Sequence, residues 1–188
     1  MTESSFAQPV PDEWIEAARR GERSAQEALF RRFQRPIYTL ALRICQNEDD
    51  AMEVMQDTFI KVFASIDQFK QHCPFWGWLR QIAVNMALGR LRKLRRREFT
   101  VLGNPPDLTP QRPDDQLDLA GAFARLPAET RAVVWLYDVE GYSHREIADL
   151  FGNSVSFSKT QVSRAHARLR ELLDGPSGDP LCTTPATL

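Results

Sequence analysis

Residues 75–97 read FWGWLRQIAVNMALGRLRKLRRR, and this stretch decides the reading of the chain. Leu79, Ile82, Ala83 and Met86 fall at helical spacing and form one apolar stripe for a core. Gln81, Asn85, Arg92 and Arg96 follow at separations of four, seven and four residues, so they share another face. Six of the eight residues from Arg90 to Arg97 are basic. Like charges at that density repel unless a polyanion neutralises them. Amide and guanidinium groups on one helix face are suited to reading base edges and holding phosphates. Phe75, Trp76 and Trp78 open the helix, with Phe69 in the loop before it. Trp78 is expected in the core; the others are candidates for stacking on unpaired bases.

The chain as a whole is not basic. Its 188 residues carry a net charge of −1, so nucleic-acid binding has to come from local clusters. Apolar residues make up 43%, enough for packed cores. Cys45, Cys73 and Cys182 lie far apart, with no ligand spacing to a histidine, and read as reduced thiols. No metal or cofactor is expected. Met1–Pro11 lacks the pattern of a signal peptide, and no apolar run approaches the ~20 residues of a membrane span. A cytoplasmic protein without membrane insertion is expected.

Working outward, residues 11–98 read as helices throughout. Asp12 caps a short helix through Arg20, which Gly21 ends. Ser24–Cys45 is a second helix that Pro36 kinks or splits. A third runs from about Asp49 to Ala64 and buries Val54, Met55, Phe59, Val62 and Phe63. Its first half holds Glu48, Asp49, Asp50, Glu53 and Asp57 with no base before Lys61. The helix dipole accounts for Asp49 and Asp50 but poorly for Asp57, which points to a protein partner. Residues 99–118 carry four prolines and four aspartates and read as a flexible acidic linker.

Residues 119–174 are helical again. Leu126-Pro127 opens one helix, and Gly141 stops it. Ser143 and Glu146 have the spacing of a capping box, and Gly152 ends that helix. A longer helix spans about Val155 to Leu173. Small Ala148 followed by the Gly152 turn reads as a helix-turn-helix. Residues 175–188 read as a disordered tail. The fold class is therefore all-α, two small helical domains joined by the linker.

In this order, the pieces over residues 12 to 173 resemble the sigma-70 family, specifically its extracytoplasmic-function group. The motifs are DAMEVMQDTFIKVF at 50–63, FWGWLRQIAVN at 75–85, and GYSHREIA from 141 continuing to Arg168. The resemblance implies that Asp50, Glu53, Gln56, Asp57, Phe59 and Lys61 dock on core RNA polymerase, at the clamp helices of the largest subunit, with the flap as a further contact. It implies that residues 65–74 form a pocket for a flipped base of the −10 element. Phe69, Trp76, Arg80, Gln81, Asn85, Arg92, Arg95 and Arg96 would hold the −10 promoter DNA. Arg145, Ser156, Phe157, Lys159, Thr160, Gln161, Arg164 and Arg168 would read the −35 element. The linker would occupy the path of nascent RNA, and an anti-sigma factor or other regulator is an expected partner.

The chain departs from the family's usual pattern at Met52, where an acid is usual, and at Gly89, where an aspartate is common. Asn153 and Ser158 stand at positions that are usually apolar. Ser158 is expected to face inward, its hydroxyl bonding the Ser154 carbonyl. An enzyme is the rival reading from another class, but His72, His144 and His166 lack a nucleophile or carboxylate companion. A free-standing helix-turn-helix regulator would explain residues 119–174 and leave the aromatic-basic helix idle.

Overall fold

The computed structural model describes residues 9–102 and 119–174, all helix and connecting turns with no strand among them; the side chains of 95, 97–102 and 174 fall outside the description. The linker is expected over 99–118, but residues 99–102 continue the helix that starts at Phe75; the rest of the linker and the tail lie outside the described residues.

Helix α1 (Asp12–Arg19) starts one residue after Pro11, which holds the cap position expected of Asp12. Its buried Ile15 and Ala18 lie over the next elements. Helix α2 (Arg23–Cys45) runs through Pro36 as one element, so the chain is not split there. Phe33, Ile37 and Leu40 flank the proline and are buried, which holds the turns together despite the missing donor.

Helix α3 (Glu48–Ala64) begins where the Asn47 side chain accepts the Asp50 amide at 2.9 Å. Its inner face carries Val54, Thr58, Phe59 and Val62. Thr58 is fully buried and satisfied, its hydroxyl donating to the Val54 carbonyl at 2.6 Å. A single 3₁₀ turn, Ile66–Gln68, then leads to helix α4 (Phe75–Leu102). Leu79, Ala83, Val84, Ala87 and Leu88 of α4 close the core against Leu29, Phe33 and Ile44 of α2. Each large apolar side chain buried here contributes about 1.5–3 kcal/mol. Burial pushes the Cys45 thiol up to about 11, so it stays protonated and inert.

Residues 119–174 build the second unit. Helix α5 (Leu119–Ala124) precedes Pro127, a helix not singled out from sequence because its six residues carry almost no polar pattern. Helix α6 (Ala128–Val134) passes into a π turn over Trp135–Val139. Helix α7 (His144–Phe151) has the expected capping box: the Ser143 amide donates to Glu146 at 2.8 Å, and the Glu146 amide donates to the Ser143 hydroxyl at 3.3 Å. Those bonds hold the Glu146 carboxyl below its usual range. Gly152, at φ 64°, turns the chain into helix α8 (Val155–Asp174).

Ser158 is fully buried, as its register requires, but its hydroxyl pairs with His144 Nδ1 at 3.1 Å and not with the Ser154 carbonyl. The imidazole, stacked on Tyr137 with ring centroids 4.3 Å apart, reaches across from α7 and clips the two helices of the motif together. Asn153 is exposed and donates to the Phe151 carbonyl at 3.3 Å, so its polarity needs no buried partner.

The two units share one core. Ala132, Val133, Leu136 and Tyr142 are buried in the same cluster as the apolar residues of α2 and α4. Arg43 lies 5.5 Å from the Trp135 ring centroid across the junction. No described helix is long and apolar enough to cross a membrane.

Within the first unit, the Arg90 guanidinium lies 2.6 Å from Asp50 and 2.7 Å from Glu53, tying α4 to α3. Asp50→Ala is expected to lower stability in urea melting by about 1–3 kcal/mol, because it leaves a part-buried guanidinium short of its partner. Asp57→Ala, on the exposed face, should stay within about 0.5 kcal/mol. Equal effects would contradict this division between the two acids.

Candidate nucleic-acid and protein interface

Helix α3 turns Met52, Glu53, Gln56, Asp57, Ile60 and Lys61 outward. This face mixes two acids with two large apolar groups, Met52 at 45% and Ile60 at 67% exposure. Charge alone would draw a cation; acids beside bare apolar groups suit a protein surface that is itself basic and apolar. Met52 stands out in the sequence as a departure from a usually acidic position, whereas Ile60 is legible only as an ordinary helix residue. Asp50 and Phe59, assigned by the resemblance to the polymerase contact, are 8% and 4% exposed. In the free chain both support the surface from beneath: Asp50 holds Arg90, and Phe59 packs edge-on against Phe30 at 4.8 Å. The hydrogen bond from Arg90 to Asp50 raises the arginine further above its ordinary value, so its charge is permanent.

The aromatic start of α4 is mostly interior. Phe69 is 3% exposed and packs against Phe75 and Trp78, at centroid distances of 5.4 and 5.3 Å. In the free chain its ring is enclosed by these neighbours, so Phe69 anchors the loop. Trp78 packs in this cluster while staying half-buried. Trp76 stacks on Phe33 at 5.7 Å and is also half-buried.

Beyond Phe69, the loop residues Lys70, Gln71, His72, Cys73 and Pro74 are all exposed. Gln81, Asn85, Arg92 and Arg96 are exposed together on α4, as their spacing requires. The side chain of Arg95 lies outside the described residues.

Part of that α4 face is engaged by the second unit. Arg80 donates to the Glu140 carbonyl at 2.7 Å, lies 3.3 Å from the Glu140 carboxylate, and sits 4.8 Å from the Tyr142 ring centroid. The Tyr142 hydroxyl donates to Gln81 at 3.2 Å, and Arg92 donates to the Leu150 carbonyl at 2.6 Å. A carboxylate, an aromatic ring and carbonyl oxygens are thus set against arginine and amide groups. A nucleic-acid strand offers the same kinds of partner: anion, stacking plane and acceptor. Asn85 and Arg96 lie outside these contacts with Glu140, Tyr142 and Leu150.

In the helix-turn-helix, Arg145, Ser156, Lys159, Thr160, Arg164 and Arg168 are exposed. Phe157 is half-buried against Phe151, and Gln161 accepts a hydrogen bond from Thr130 at 2.6 Å. Arg168 pairs with Glu171 at 3.0 Å on the surface. Val162, Ala165 and Ser158 form the inward stripe, so Ser156, Lys159, Thr160, Arg164 and Arg168 of α8 are left on its exposed side. Such a helix presents donors at the spacing of a groove-reading element.

Comparison with known proteins gives a consistent picture. The model of sigma-70 region 2 matches residues 29–97, and that of sigma-70 region 4 matches residues 116–169. The ECF RNA polymerase sigma factor SigE of Mycolicibacterium smegmatis is 33% identical over 157 residues, 78% of this chain and 61% of that protein. The chain therefore spans about three fifths of that relative's length. The ECF sigma factor SigM of Mycobacterium tuberculosis is 32% identical over 156 residues, 81% of this chain and 79% of that one. Among solved structures, the sigma factor RpoE bound to the anti-sigma factor NepR from Bartonella quintana superposes with a TM-score of 0.58 at 26% identity, covering 80% of this chain and 97% of that chain. CnrH in complex with the cytosolic domain of CnrY gives 0.53 at 27% identity, covering 88% and 97%.

The junction geometry makes a direct prediction. Glu140→Ala removes the acid facing Arg80 and should raise the affinity of the free chain for a short single-stranded DNA about threefold, with a steeper salt dependence. Fluorescence anisotropy at two salt concentrations measures it; an unchanged affinity contradicts the masking of Arg80.

Proposed function

The chain belongs to the extracytoplasmic-function group of the RNA polymerase sigma-70 family, and from that premise we propose how its surfaces divide the work of starting transcription. It acts as a dissociable subunit that gives core RNA polymerase its promoter choice, and it contributes no catalytic step of its own. The place of action follows the polymerase, in the cytoplasm.

The observation that carries the reading is the pairing of two unlike faces on adjoining helices. The acidic and apolar face of α3, with Met52, Glu53, Gln56, Asp57, Ile60 and Lys61, docks on the clamp helices of the polymerase. The face of α4, with Arg80, Gln81, Asn85, Arg92 and Arg96, holds the −10 element as it melts, with Trp76 and the loop rim beside it. An unpaired base leaving the stack costs a few kcal/mol, which contacts at the rim have to offset. Arg145, Ser156, Phe157, Lys159, Thr160, Gln161, Arg164 and Arg168 of the helix-turn-helix take the −35 element, with the polymerase flap against the same unit. The domain limits that fit this division are 11–98, 99–118 for the linker and 119–174.

Two solved relatives are complexes with a second protein, NepR for RpoE and CnrY for CnrH. An anti-sigma factor is accordingly a proposed partner of this chain.

Run-off transcription with purified core polymerase over a promoter library tests the function. Discrete start sites that depend on added chain are expected. Start sites unchanged by the chain, together with tight sequence-specific duplex binding by the chain alone, would support a free-standing regulator instead. For the docking face, Asp57→Lys should weaken core affinity at least about tenfold with helicity unchanged. Unaltered affinity in a core-binding titration would remove α3 from the interface.

A further inference from the structure

The exposed rim Lys70–Pro74 has little structure of its own. Lys70, Gln71, His72 and Cys73 take part in none of the backbone hydrogen bonds found outside the helices among the described residues. Gln71 adopts a positive φ of 56°, a region unfavourable for a residue with a side chain, which has to be imposed from outside. The rim is therefore placed by its two ends. At the far end, Pro74 accepts from Gly77 at 2.9 Å as α4 begins. At the near end, the 3₁₀ turn closes with Phe69 donating to Ile66 at 3.1 Å.

That near end is held from another element. Arg19, in the last turn of α1, donates from Nε to the Ile66 carbonyl at 3.3 Å and from a terminal nitrogen to the Phe69 carbonyl. Its other terminal nitrogen lies 2.5 Å from Glu16, which fixes the plane of the guanidinium. The side chain is 22% exposed, so these bonds are partly shielded from water. A planar fork with donors on two edges can hold two carbonyls three residues apart and a carboxylate together; an ammonium cannot. The last backbone acceptor before the rim is the atom Arg19 holds.

We propose that Arg19 is a positioning residue for −10 recognition: by holding the Ile66 and Phe69 carbonyls it sets the rim Lys70–Pro74 against which an unstacked base is read. The proposal rests on the assignment of this loop to the −10 element made above. The guanidinium of Arg19 is engaged by Ile66, Phe69 and Glu16, so in this proposal it acts through the loop and not by holding DNA as the basic residues of α4 do. Its loss should blunt discrimination at one base rather than weaken strand binding in general.

The test uses holoenzymes assembled from core polymerase and full chain, wild type, Arg19→Gln or Arg19→Lys. The probes are single-stranded non-template oligonucleotides from a promoter found by run-off transcription, one intact and one abasic at the position where base loss most weakens wild-type binding. Arg19→Gln should lose about fivefold of the preference for intact over abasic strand, while abasic-strand affinity and core affinity stay within about twofold. Arg19→Lys should recover only part of the loss, and it carries the comparison alone where Arg19→Gln does not assemble. Wild-type preference in either assembled variant overturns the proposal. So does a parallel loss of affinity for both strands, the mark of a general structural role. A wild-type holoenzyme insensitive to base loss at every −10 position instead overturns the assignment of the loop, and is recognised before any variant is made.

Discussion

One guanidinium, that of Arg90, holds the two working helices in register. It reaches Asp50 at 2.6 Å and Glu53 at 2.7 Å across the α3–α4 junction. The apolar contacts beneath it tolerate sliding, since Leu, Val and Ala surfaces are non-directional. A charge-assisted pair is directional and sets which residues of each helix face outward. With Arg90 spent on α3, the rest of the basic run remains for a polyanion. With Asp50 and Glu53 engaged by Arg90, Asp57 is the acid of this face outside that pairing, beside Met52 and Ile60. A helix dense in arginine and a helix dense in acid would otherwise neutralise each other completely and leave neither face for a partner.

The junction between the two units follows from the same shortage of faces on α4. Its inner stripe fills the core, one arginine serves α3, and Arg80, Gln81 and Arg92 meet Glu140, Tyr142 and Leu150. Partly exposed bonds of this kind contribute only about 0–1 kcal/mol each. Arg131 adds an opposing term: it is 6% exposed, burial lowers its pKa, and its guanidinium's one hydrogen bond among the described residues is to the Leu126 carbonyl at 3.0 Å. A buried cation without a carboxylate beside it favours the solvated state. The polar part of the junction is thus complementary in chemistry yet modest in strength, and it lies over the apolar core that the two units share.

Much of this was legible in the chain. The three-and-four spacing of Leu79, Ala83 and Met86 announced α4, and Ser143 with Glu146 announced the start of α7. The face shared by Gln81, Asn85, Arg92 and Arg96 came from spacing alone. Other features were not legible, for identifiable reasons. Pro36 carries a local signal for a break, and tertiary burial on both sides overrode it. Phe69 and Phe59 carry the same side chain whether they stack on a ligand or fill a core, and only packing separates the cases. The His144–Ser158 clip joins residues fourteen apart, across a turn whose geometry no spacing rule reports. The α4 face contacted by Glu140 and Tyr142 depends on how two units meet, which periodicity within either unit does not contain.

A photo-crosslinking amino acid in place of Gln81 tests the account most directly, because this one position touches the second unit in the free chain and lies on the proposed DNA face. The account predicts an intramolecular product at or beside Tyr142 in the free protein, replaced by a product with the −10 non-template strand in promoter-bound holoenzyme. Persistence of the intramolecular product in holoenzyme that has opened its promoter, with no DNA product, would contradict it.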